Sequence, residues 1–377
     1  MATLTGMIPD LYAALNTVSR ELVGFIPSVS LDANAARAAV GQTVVSFKAP
    51  AVTASDVTAQ INTLEGNSQT AGSSSVTITK SRKVPITWTG EEQLGVSQGP
   101  GYLSMRAQQF AQAMRTLCNE MESDLGLMYK KASRAYGTAG TTPFATAGDF
   151  TDAAQVRKVL ADNGAPLGDL QLVIDTTAGA SFRGKQSQIQ MTGSNSLLNQ
   201  GVLIDVHGMK IRESAQVKAH TKGTGASYLV NKSAGFAAAD TDIDVDTGTG
   251  TVLAGDVLAF EDDTNKYVVG TALSGGTLSL NAPGLRKTLA NNKTVTVGNS
   301  YTANMAFARS AIVLATRAPA TPAEGDMAID EYMLTDPISG LTFEVRVYPL
   351  ERAIKIEIAI AWGVSCVAPE HCAILLG

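Results

Sequence analysis

The stretch FEVRVYPLERAIKIEIAIAWGVSCV, Phe343–Val367, alternates apolar and polar side chains over much of its length. A period of two residues is typical of a β-strand that buries one face. Just upstream, MAFARSAIVLATRA (Met305–Ala318) is apolar and fits either a helix or a strand. The end of the chain is therefore predicted to build a β-sheet, which needs partners from earlier in the sequence.

The composition changes abruptly before this region. Residues 222–298 are dense in Gly, Thr, Asp and Asn, and the short runs GDVLAFED, KYVVGTAL, GTLSL and KTVTV recur at steps of about ten residues. Short strands separated by turn residues predict a small antiparallel barrel or sandwich. Since neither flank looks complete alone, we interpret this segment as a domain inserted into another.

The chain opens with a predicted amphipathic helix. Apolar residues recur at three- and four-residue steps from Ile8 to Leu22, with Leu11 and Leu15 among them, and Pro9 and Asp10 suit a first helical turn. The next segment, SLDANAARAAVG, is small and weakly patterned and offers this stripe little to pack on. We therefore expect the helix to dock elsewhere in the fold or on another chain.

Two β-type runs follow, Thr43–Val52 and Ser75–Trp88, separated by a polar segment. They predict a long hairpin, which cannot bury a core by itself and normally lies on another surface. In a monomer that surface would be the chain's own domain, and in an assembly it would belong to a neighbouring subunit. Lys48 and Lys80 flank this excursion.

A long helix and a mixed region come next. Apolar positions from Leu103 to Met128 predict a helix of about 30 residues, roughly 45 Å long, that Gly137 and its loop stop. From Phe150 the sequence predicts a helix ended by Gly164, a strand LQLVID, and a further strand VLIDVHGMKIRES with His207 as an ordinary strand residue.

Composition sets limits on function. The 377 residues are 45% hydrophobic and 17% charged, with a formal net charge of -5, so the chain is expected to fold into about two to three domains without the basic surface typical of specific nucleic-acid binding. No apolar run reaches the roughly 20 residues of a membrane span, and no leader pattern is seen, so synthesis in the cytoplasm is expected. The three cysteines are predicted to be reduced packing residues.

One segment resembles a nucleotide site. GASFRGKQ, from Gly179 to Gln186, matches the phosphate loop G-x-x-x-x-G-K-[ST] except that Gln186 replaces the hydroxyl residue that holds magnesium. No helical pattern follows Lys185, although such a loop needs a helix to start there. A loop followed by a β-strand is the favoured interpretation, and a nucleotide-binding enzyme is kept as an alternative.

Metal chemistry is also disfavoured. The run ADTDIDVDTG lacks the glycine and the terminal glutamate of a calcium loop, so Asp242, Asp244 and Asp246 are interpreted as one solvated face of a strand that could meet basic residues of a partner. CVAPEHC, Cys366–Cys372, brings two thiols and an imidazole close in sequence, but on opposite faces of a strand or across a turn. No catalytic residue, cofactor or metal is predicted, and the chain is not expected to be an enzyme.

The order of elements and the ending IAIAWGVSCVAPEHCAILLG, Ile358–Gly377, carry a family resemblance. The order resembles major capsid proteins of tailed phages with the Hong Kong 97-like fold. The ending resembles the coat-protein family of short-tailed Salmonella-type phages, in which an aromatic-Gly-Val strand precedes Arg-Pro-Glu and an apolar tail. Ala368 stands where that arginine is usual. The match is best over residues 201–218 and 301–377, and the family carries a longer β-barrel insertion after a strand like IDVHGMKIRES.

The resemblance implies an α+β capsid fold with an inserted antiparallel β-barrel. The implied domains are the N-terminal arm 1–39, extended loop 40–92, peripheral domain with spine helix 93–149, first axial part 150–221, inserted barrel 222–299, and the return through the axial and peripheral domains 300–377. Residues that would contact other subunits are Leu11, Leu15, Lys48, Lys80, Asp242, Asp244 and Asp246.

The implied function is a structural one. Pentamers and hexamers would assemble, around a scaffolding protein and with a portal, into an icosahedral procapsid that expands when double-stranded DNA enters. The DNA would be contacted non-specifically, a decoration protein is left open, and the protein would reside in the virion after assembly in the host cytoplasm, with no membrane partner. A second alternative is a β-rich tail or adhesion protein, which would form fibres or trimers.

Overall fold

Two large β-sheets, of six and twelve strands, and a separate two-stranded sheet dominate the structure. This computed structural model describes residues 7–21, 24–48, 72–97, 102–146, 149–186, 203–337 and 339–377. Its helices are α1 (Ile8–Glu21), α2 (Gly90–Ser97), α3 (Tyr102–Gly126), α4 (Thr151–Asp162) and α5 (Thr176–Gln186).

The strands alternate with these helices in the first half of the chain and dominate the second half. The first eight are β1 (Ser30–Ala38), β2 (Thr43–Lys48), β3 (Gly72–Thr77), β4 (Lys80–Thr89), β5 (Arg134–Tyr136), β6 (Leu170–Ile174), β7 (Met209–Glu213) and β8 (Ala219–His220). The next six are β9 (Tyr228–Val230), β10 (Asp242–Asp246), β11 (Val257–Phe260), β12 (Lys266–Ser274), β13 (Thr277–Leu280) and β14 (Thr294–Val297). The last six are β15 (Tyr301–Ala308), β16 (Ile312–Pro319), β17 (Asp330–Thr335), β18 (Thr342–Leu350), β19 (Ala353–Cys366) and β20 (Cys372–Leu376).

The long helix predicted from the apolar spacing is α3. It has 25 residues, somewhat fewer than expected, because it ends at Gly126, well before Gly137. A 3₁₀ turn over Leu127–Lys131 then leads into β5. One face of α3 lies in the main core, through Phe110, Met114, Leu117, Met121 and Leu125.

The N-terminal helix α1 docks on α3 of the same chain. Leu11 and Leu15 are almost completely buried in the shared core, and Arg106 of α3 forms an ion pair with Asp10 at 2.5 Å. Side chains this deeply buried leave little surface for a neighbour. The expected role of Leu11 and Leu15 as intersubunit contacts is therefore corrected to an intrachain one.

The weakly patterned segment after α1 contains a strand that the sequence did not indicate. β1 pairs in parallel with β16 at the edge of the six-stranded sheet. A parallel partner sits far away in sequence, so neither a turn signal nor strict alternation marks β1 locally.

The strand β19 organises the six-stranded sheet. It pairs with β4 over Ala353–Trp362, with β18 over Ala353–Ala359 and with β16 over Ala361–Cys366. The predicted β ending is thus confirmed as β18 and β19. The ambiguous apolar run before it is strand, split between β15 and β16 around a 3₁₀ turn at Arg309–Ala311.

The predicted hairpin is only partly correct. Its second run divides at Ile78 and Thr79: β3 pairs with β2, whereas β4 joins the six-stranded sheet beside β19. We call the β2–β3 pair the ribbon. Residues 49–71, which join its strands, lie outside the described residues.

The predicted barrel is present as a closed ring of six antiparallel strands. The ring runs β11, β14, β9, β10, β13 and β12, and closes where β12 pairs with β11. It has its own core, to which Ile243 and Val245 of β10 contribute. The barrel is continuous with the twelve-stranded sheet because β12 also pairs with β5.

The predicted strand through His207 is wrong. Residues 203–205 have no regular structure, and His207 and Gly208 adopt positive φ angles of 53° and 73° in a tight turn before β7. Val206 and Met209 exchange two backbone hydrogen bonds across it. Two consecutive positive φ angles are what a two-residue hairpin turn requires. Gly201 and Val202 lie outside the described residues.

Among the described residues, no helix is both long enough and apolar enough to cross a bilayer.

Candidate functional site

Much of the ribbon is exposed in the single chain. Among the described strands, β2 and β3 pair only with each other. Val45 is 51% exposed, and Ser73, Ser75 and Thr77 are exposed as well. A two-stranded ribbon has no core of its own and is marginal in water unless another surface covers it. The ribbon is therefore a candidate interaction element.

The base of the ribbon is fixed to the six-stranded sheet. Val76 and Ile78 are buried against Ala315 and Ala361. The Thr79 amide donates to the Trp362 carbonyl oxygen at 3.0 Å. The described part of the ribbon is thus anchored at one end and exposed farther along its strands.

The Trp-Gly pair in β19 makes this anchoring possible. A Cβ on Gly363 would stand 2.0 Å from the Thr77 carbonyl oxygen, so only glycine allows the ribbon backbone to come this close. The Trp362 side chain is completely buried. Its ring nitrogen donates to Asp124 Oδ2 on α3 at 2.9 Å. Trp362 and Gly363 therefore join the ribbon, the sheet and the long helix.

Lys80 belongs to the same cluster. Its ammonium group binds Asp124 Oδ1 at 2.7 Å and lies 5.9 Å from the centre of the Trp362 ring. Lys80 thus has a partner within its own chain, and its expected contact with another subunit stays a prediction. Lys48 ends β2 opposite Gly72, and its side chain lies outside the described structure.

A second carboxylate on α3 holds the segment after α1. Glu122 accepts hydrogen bonds from the amides of Phe25 at 2.9 Å and Ile26 at 2.7 Å, and from the Ser214 hydroxyl at 3.0 Å. Burial raises the pKa of this carboxyl, while the three hydrogen bonds oppose that rise. Glu122 thereby ties the N-terminal segment and the end of β7 to the long helix.

The segment that resembles a phosphate loop is helical. α5 runs through Gly179 to Lys185, which corrects the expected loop. Its first amides, those of Thr177 and Ala178, are bound by the Asp175 carboxylate at 3.1 and 3.2 Å. In a phosphate loop the amides of the motif itself must be free to bind the anion, whereas here the motif lies inside the helix and the Gly179 amide donates to the Asp175 carbonyl oxygen.

Gly179 and Lys185 of that motif have structural roles. A Cβ on Gly179 would stand 2.9 Å from the Glu213 carboxyl carbon, so this glycine lets α5 approach β7. The Lys185 ammonium contacts the Asp149 carbonyl oxygen and lies 5.6 and 5.5 Å from the ring centres of Phe144 and Phe150. Burial lowers the pKa of Lys185. The nucleotide alternative has lost its geometric basis.

The acidic strand is β10, on the outside of the barrel. Asp242, Asp244 and Asp246 are exposed, while the residues between them point into the barrel core. The Ser279 hydroxyl donates to Asp242 at 2.7 Å, and the Thr277 hydroxyl donates to Asp244 at 2.9 Å. Within the described part of the chain, none of the three carboxylates forms an ion pair. Their predicted contact with a basic partner remains a prediction.

A buried polar cluster joins the barrel to the rest of the chain. Asp256 is completely buried and accepts from His220 Nε2 at 2.8 Å and from the Leu253 amide at 2.7 Å. His220 Nδ1 is 2.9 Å from the Tyr129 hydroxyl, and burial together with the Asp256 charge raises the pKa of Tyr129 to about 12. The Tyr301 hydroxyl donates to the Gly255 carbonyl oxygen at 2.6 Å. This arrangement fixes the barrel at the point where the chain enters and leaves it.

The cysteines are all free thiols. Cys118 is buried in α3, and burial raises its pKa to about 12. Cys366 and Cys372 meet across the turn that contains Pro369, with their sulfur atoms 3.6 Å apart. Where the chain is described, no three His, Cys, Asp or Glu side chains come close enough to hold a metal ion.

Sequence reasoning missed Glu122, Asp124 and Asp256. The first two interrupt the apolar stripe of α3 only one or two residues from its buried positions, and an acid so near a core face is a signal for a structural hydrogen-bond acceptor. Asp256 gives no such signal, since GDVLAFED also fits an exposed strand end.

Comparison with protein-family models found no match, and comparison with curated proteins found none either. Comparison with solved structures did find similar chains. One, from Mycobacterium phage Che8, is 13% identical, with 89% of this chain and 84% of that chain aligned and a TM-score of 0.44. The capsid structure of the cyanophage P-SCSP1u is 12% identical over 94% and 88% of the two chains, with a TM-score of 0.49.

A third similar chain forms a virus-like particle from Pyrococcus furiosus. It is 9% identical, with 97% of this chain and 98% of that chain aligned and a TM-score of 0.44. Because these TM-scores lie below 0.5, we draw no conclusion about this chain from them.

Proposed function

We propose that the chain is a major capsid protein that assembles as pentamers and hexamers into the icosahedral head shell around phage double-stranded DNA. The observation that carries this proposal is the exposed ribbon, anchored through Trp362 and Gly363. These two residues belong to the C-terminal pattern on which the resemblance to phage coat proteins rests. A ribbon that is anchored at its base but exposed along its strands is expected in a protein whose neighbouring subunits cover it in the assembly.

The proposed domains follow the boundaries expected from the sequence. The N-terminal arm is 1–39, the extended loop 40–92 and the peripheral domain with its spine helix 93–149. The axial domain begins with 150–221, the barrel is 222–299, and 300–377 returns through the axial and peripheral domains. The ribbon supports the second of these assignments, and α3 supports the third.

The test is electron microscopy of the full chain, expressed alone and together with the genes next to its own. Uniform closed shells are the expected result, and a protein that stays monomeric under every condition would overturn the proposal. A ribbon variant sharpens the test. Val45→Asp should abolish shells, because a charge would be buried beneath a neighbour, whereas the similarly shaped Val45→Thr should still assemble.

Both Val45 variants should leave the unassembled monomer unchanged, since Val45 is half exposed in the single chain. Circular dichroism and the unfolding midpoint provide this control. Shells formed equally well by Val45→Asp would remove the ribbon from the assembly interface.

The partners in this proposal come from the family resemblance. They are further copies of the chain, a scaffolding protein and a portal in the procapsid, and the packaged DNA, contacted non-specifically. A decoration protein is left open. The protein would assemble in the host cytoplasm and reside in the virion, and no catalytic role or membrane contact is part of the proposal.

The acidic strand β10 is proposed to bridge neighbouring capsomers through lysine or arginine side chains. Its three carboxylates are exposed and form no ion pair among the described residues, so they are available to a partner. Replacing Asp242, Asp244 and Asp246 together with alanine should weaken the shell, measured as the denaturant concentration at which it dissociates. Unchanged assembly and shell stability would exclude the bridge.

The alternative of a β-rich tail or adhesion protein predicts a different assembly. It would give fibres or isolated trimers under the same microscope, so one experiment separates the two classes.

A further inference from the structure

Two thiols face each other where the chain passes from one large sheet to the other. Cys366 ends β19 in the six-stranded sheet, and Cys372 begins β20 in the twelve-stranded sheet. The short 3₁₀ turn Pro369–His371 folds the chain back between them. As a result, their sulfur atoms lie 3.6 Å apart.

At this separation the two sulfur atoms are in contact but not bonded. A disulfide requires about 2.05 Å between its sulfur atoms, so an approach of about 1.5 Å would close the bond. Within the turn between the two cysteines, the His371 amide donates to the Ala368 carbonyl oxygen and the Cys372 amide donates to the Pro369 carbonyl oxygen. The amides of Val367 and Ala368 also donate to the Ala311 carbonyl oxygen. Because the backbone is held in this way, rotation of the two cysteine side chains must supply most of the approach.

The two thiols differ in a way that suits stepwise oxidation. Cys366 is partly exposed, whereas Cys372 is completely buried. The hydrogen bond between the two sulfur atoms lowers the pKa of Cys366 and raises that of Cys372. The accessible sulfur is thus the one that more readily forms the reactive thiolate.

We propose that Cys366 and Cys372 form a redox modification site that a peroxide converts into an intramolecular disulfide. The Cys366 thiolate attacks one peroxide oxygen, the O–O bond breaks, and Cys366 becomes a sulfenic acid while the other oxygen leaves as water after protonation. The Cys372 sulfur then attacks the Cys366 sulfur and displaces the hydroxyl group, which leaves as a second water. Two thiols and one peroxide give one disulfide and two waters.

The disulfide would link the end of β19 covalently to the start of β20. It would join the six-stranded sheet, which anchors the ribbon, to the twelve-stranded sheet, which includes the barrel. The pair stays reduced in the cytoplasm and becomes oxidisable once the protein leaves it. This site does not depend on the proposed assembly, because both cysteines belong to one chain.

The test uses the full-length protein, reduced, freed of reductant and exposed to hydrogen peroxide. Free thiols are then alkylated in denaturant, and the protein is cleaved after glutamate. Cleavage after Glu370 falls between the two cysteines and places them on peptides 358–370 and 371–377. A disulfide keeps these peptides joined until a reductant is added.

We expect alkylation of Cys366 and Cys372 to fall at least tenfold after oxidation, with the joined peptide appearing in proportion. Cys118, buried in α3, is the internal control and should be alkylated in denaturant as before. Cys118→Ser should behave like the unsubstituted protein. In Cys372→Ser, Cys366 should stop at the sulfenic acid and be captured by dimedone.

Several results would overturn the proposal. In the unsubstituted protein, they are alkylation of both cysteines undiminished by peroxide, dimedone capture of Cys366 without the joined peptide, or disulfide-linked dimers as the main product. These results are measured on the unsubstituted protein, so they can overturn the proposal even if a substitution impairs folding.

Discussion

The Thr77 carbonyl oxygen lies only 2.0 Å from the position that a Cβ on Gly363 would occupy. Gly363→Ala must therefore push the ribbon base away from β19. We expect a loss of about 2 kcal/mol in the free energy of unfolding, typical of forced overpacking, measured by denaturant titration of the unassembled protein. Gly95→Ala in α2 is the matched control, because its Cβ would meet no atom within 4 Å, and it should be neutral or slightly stabilising. Equal effects of the two changes would contradict the close approach.

Asp124 should contribute more to the free energy of unfolding than its partner Lys80. Asp124→Ala removes the acceptor of the buried Trp362 ring nitrogen as well as the ion pair, and is expected to cost about 2 kcal/mol of unfolding free energy. Lys80→Ala leaves that indole bond intact and loses a partly exposed ion pair, for which about 0.5 kcal/mol is expected. Denaturant titration of both variants measures the difference, and a larger effect of Lys80→Ala would contradict this ranking.

Glu122 should give the chain a recognisable pH dependence. Because burial raises the carboxyl pKa in the folded state, its contribution to stability is fully present below the unfolded value, near 4.5. That contribution is lost as the pH rises through the folded pKa. The free energy of unfolding of the natural protein minus that of Glu122→Gln should therefore decrease as the pH rises above about 4.5. A difference that stays flat or increases would refute the raised pKa.

Removing the Glu122 carboxyl group altogether has a larger effect. Glu122→Ala leaves the amides of Phe25 and Ile26 and the Ser214 hydroxyl without their buried acceptor, at a cost of about 3 kcal/mol. Hydrogen exchange should accelerate at the two amides before it does in β19. Unchanged exchange there would show that other groups hold the segment after α1.

Asp256 is expected to hold the barrel against its point of attachment. Asp256→Ala leaves His220 and the amides of Gly223 and Leu253 without an acceptor in a buried site, so a loss of about 3 kcal/mol is expected. Hydrogen exchange at the Gly223 and Leu253 amides reads out the local effect. Asp244→Ala on the exposed face of the same barrel is the control and should change stability by less than about 0.5 kcal/mol.

Sequence patterns predicted the elements whose apolar spacing is set by a nearby core. The stripe of α3 and the strands of the barrel follow this rule, because each buries one face against residues that keep the same period. The patterns did not predict the correct structure where contacts with residues distant in sequence determine it. β1 is held by β16, almost 300 residues away, and Lys185 at the end of α5 packs on Phe144 and Phe150, which lie well upstream. The Asp175 cap of α5 is by contrast a local signal for this helix.

The sequence predicted only part of the candidate site, because several of its residues are brought together by contacts between distant segments. Trp362 and Gly363 could be singled out, but their roles depend on Thr77 and Asp124. The pairing of β4 with β19 brings Thr77 to them, and the packing of α3 against the same sheet brings Asp124. Leu11 and Leu15 were correctly placed on an apolar stripe. Sequence periodicity shows that such a stripe is buried, but it does not reveal which chain buries it.

The strands that precede and follow the barrel lie side by side, because His220 of β8 pairs with Tyr301 of β15. A tight turn between those two strands could replace the entire insertion without breaking the register of the strands that carry it. The barrel is therefore attached in such a way that its removal would leave these two flanking strands paired. Removal of the barrel would leave the buried His220 side chain without its Asp256 acceptor, so a shortened chain would need another partner at this position.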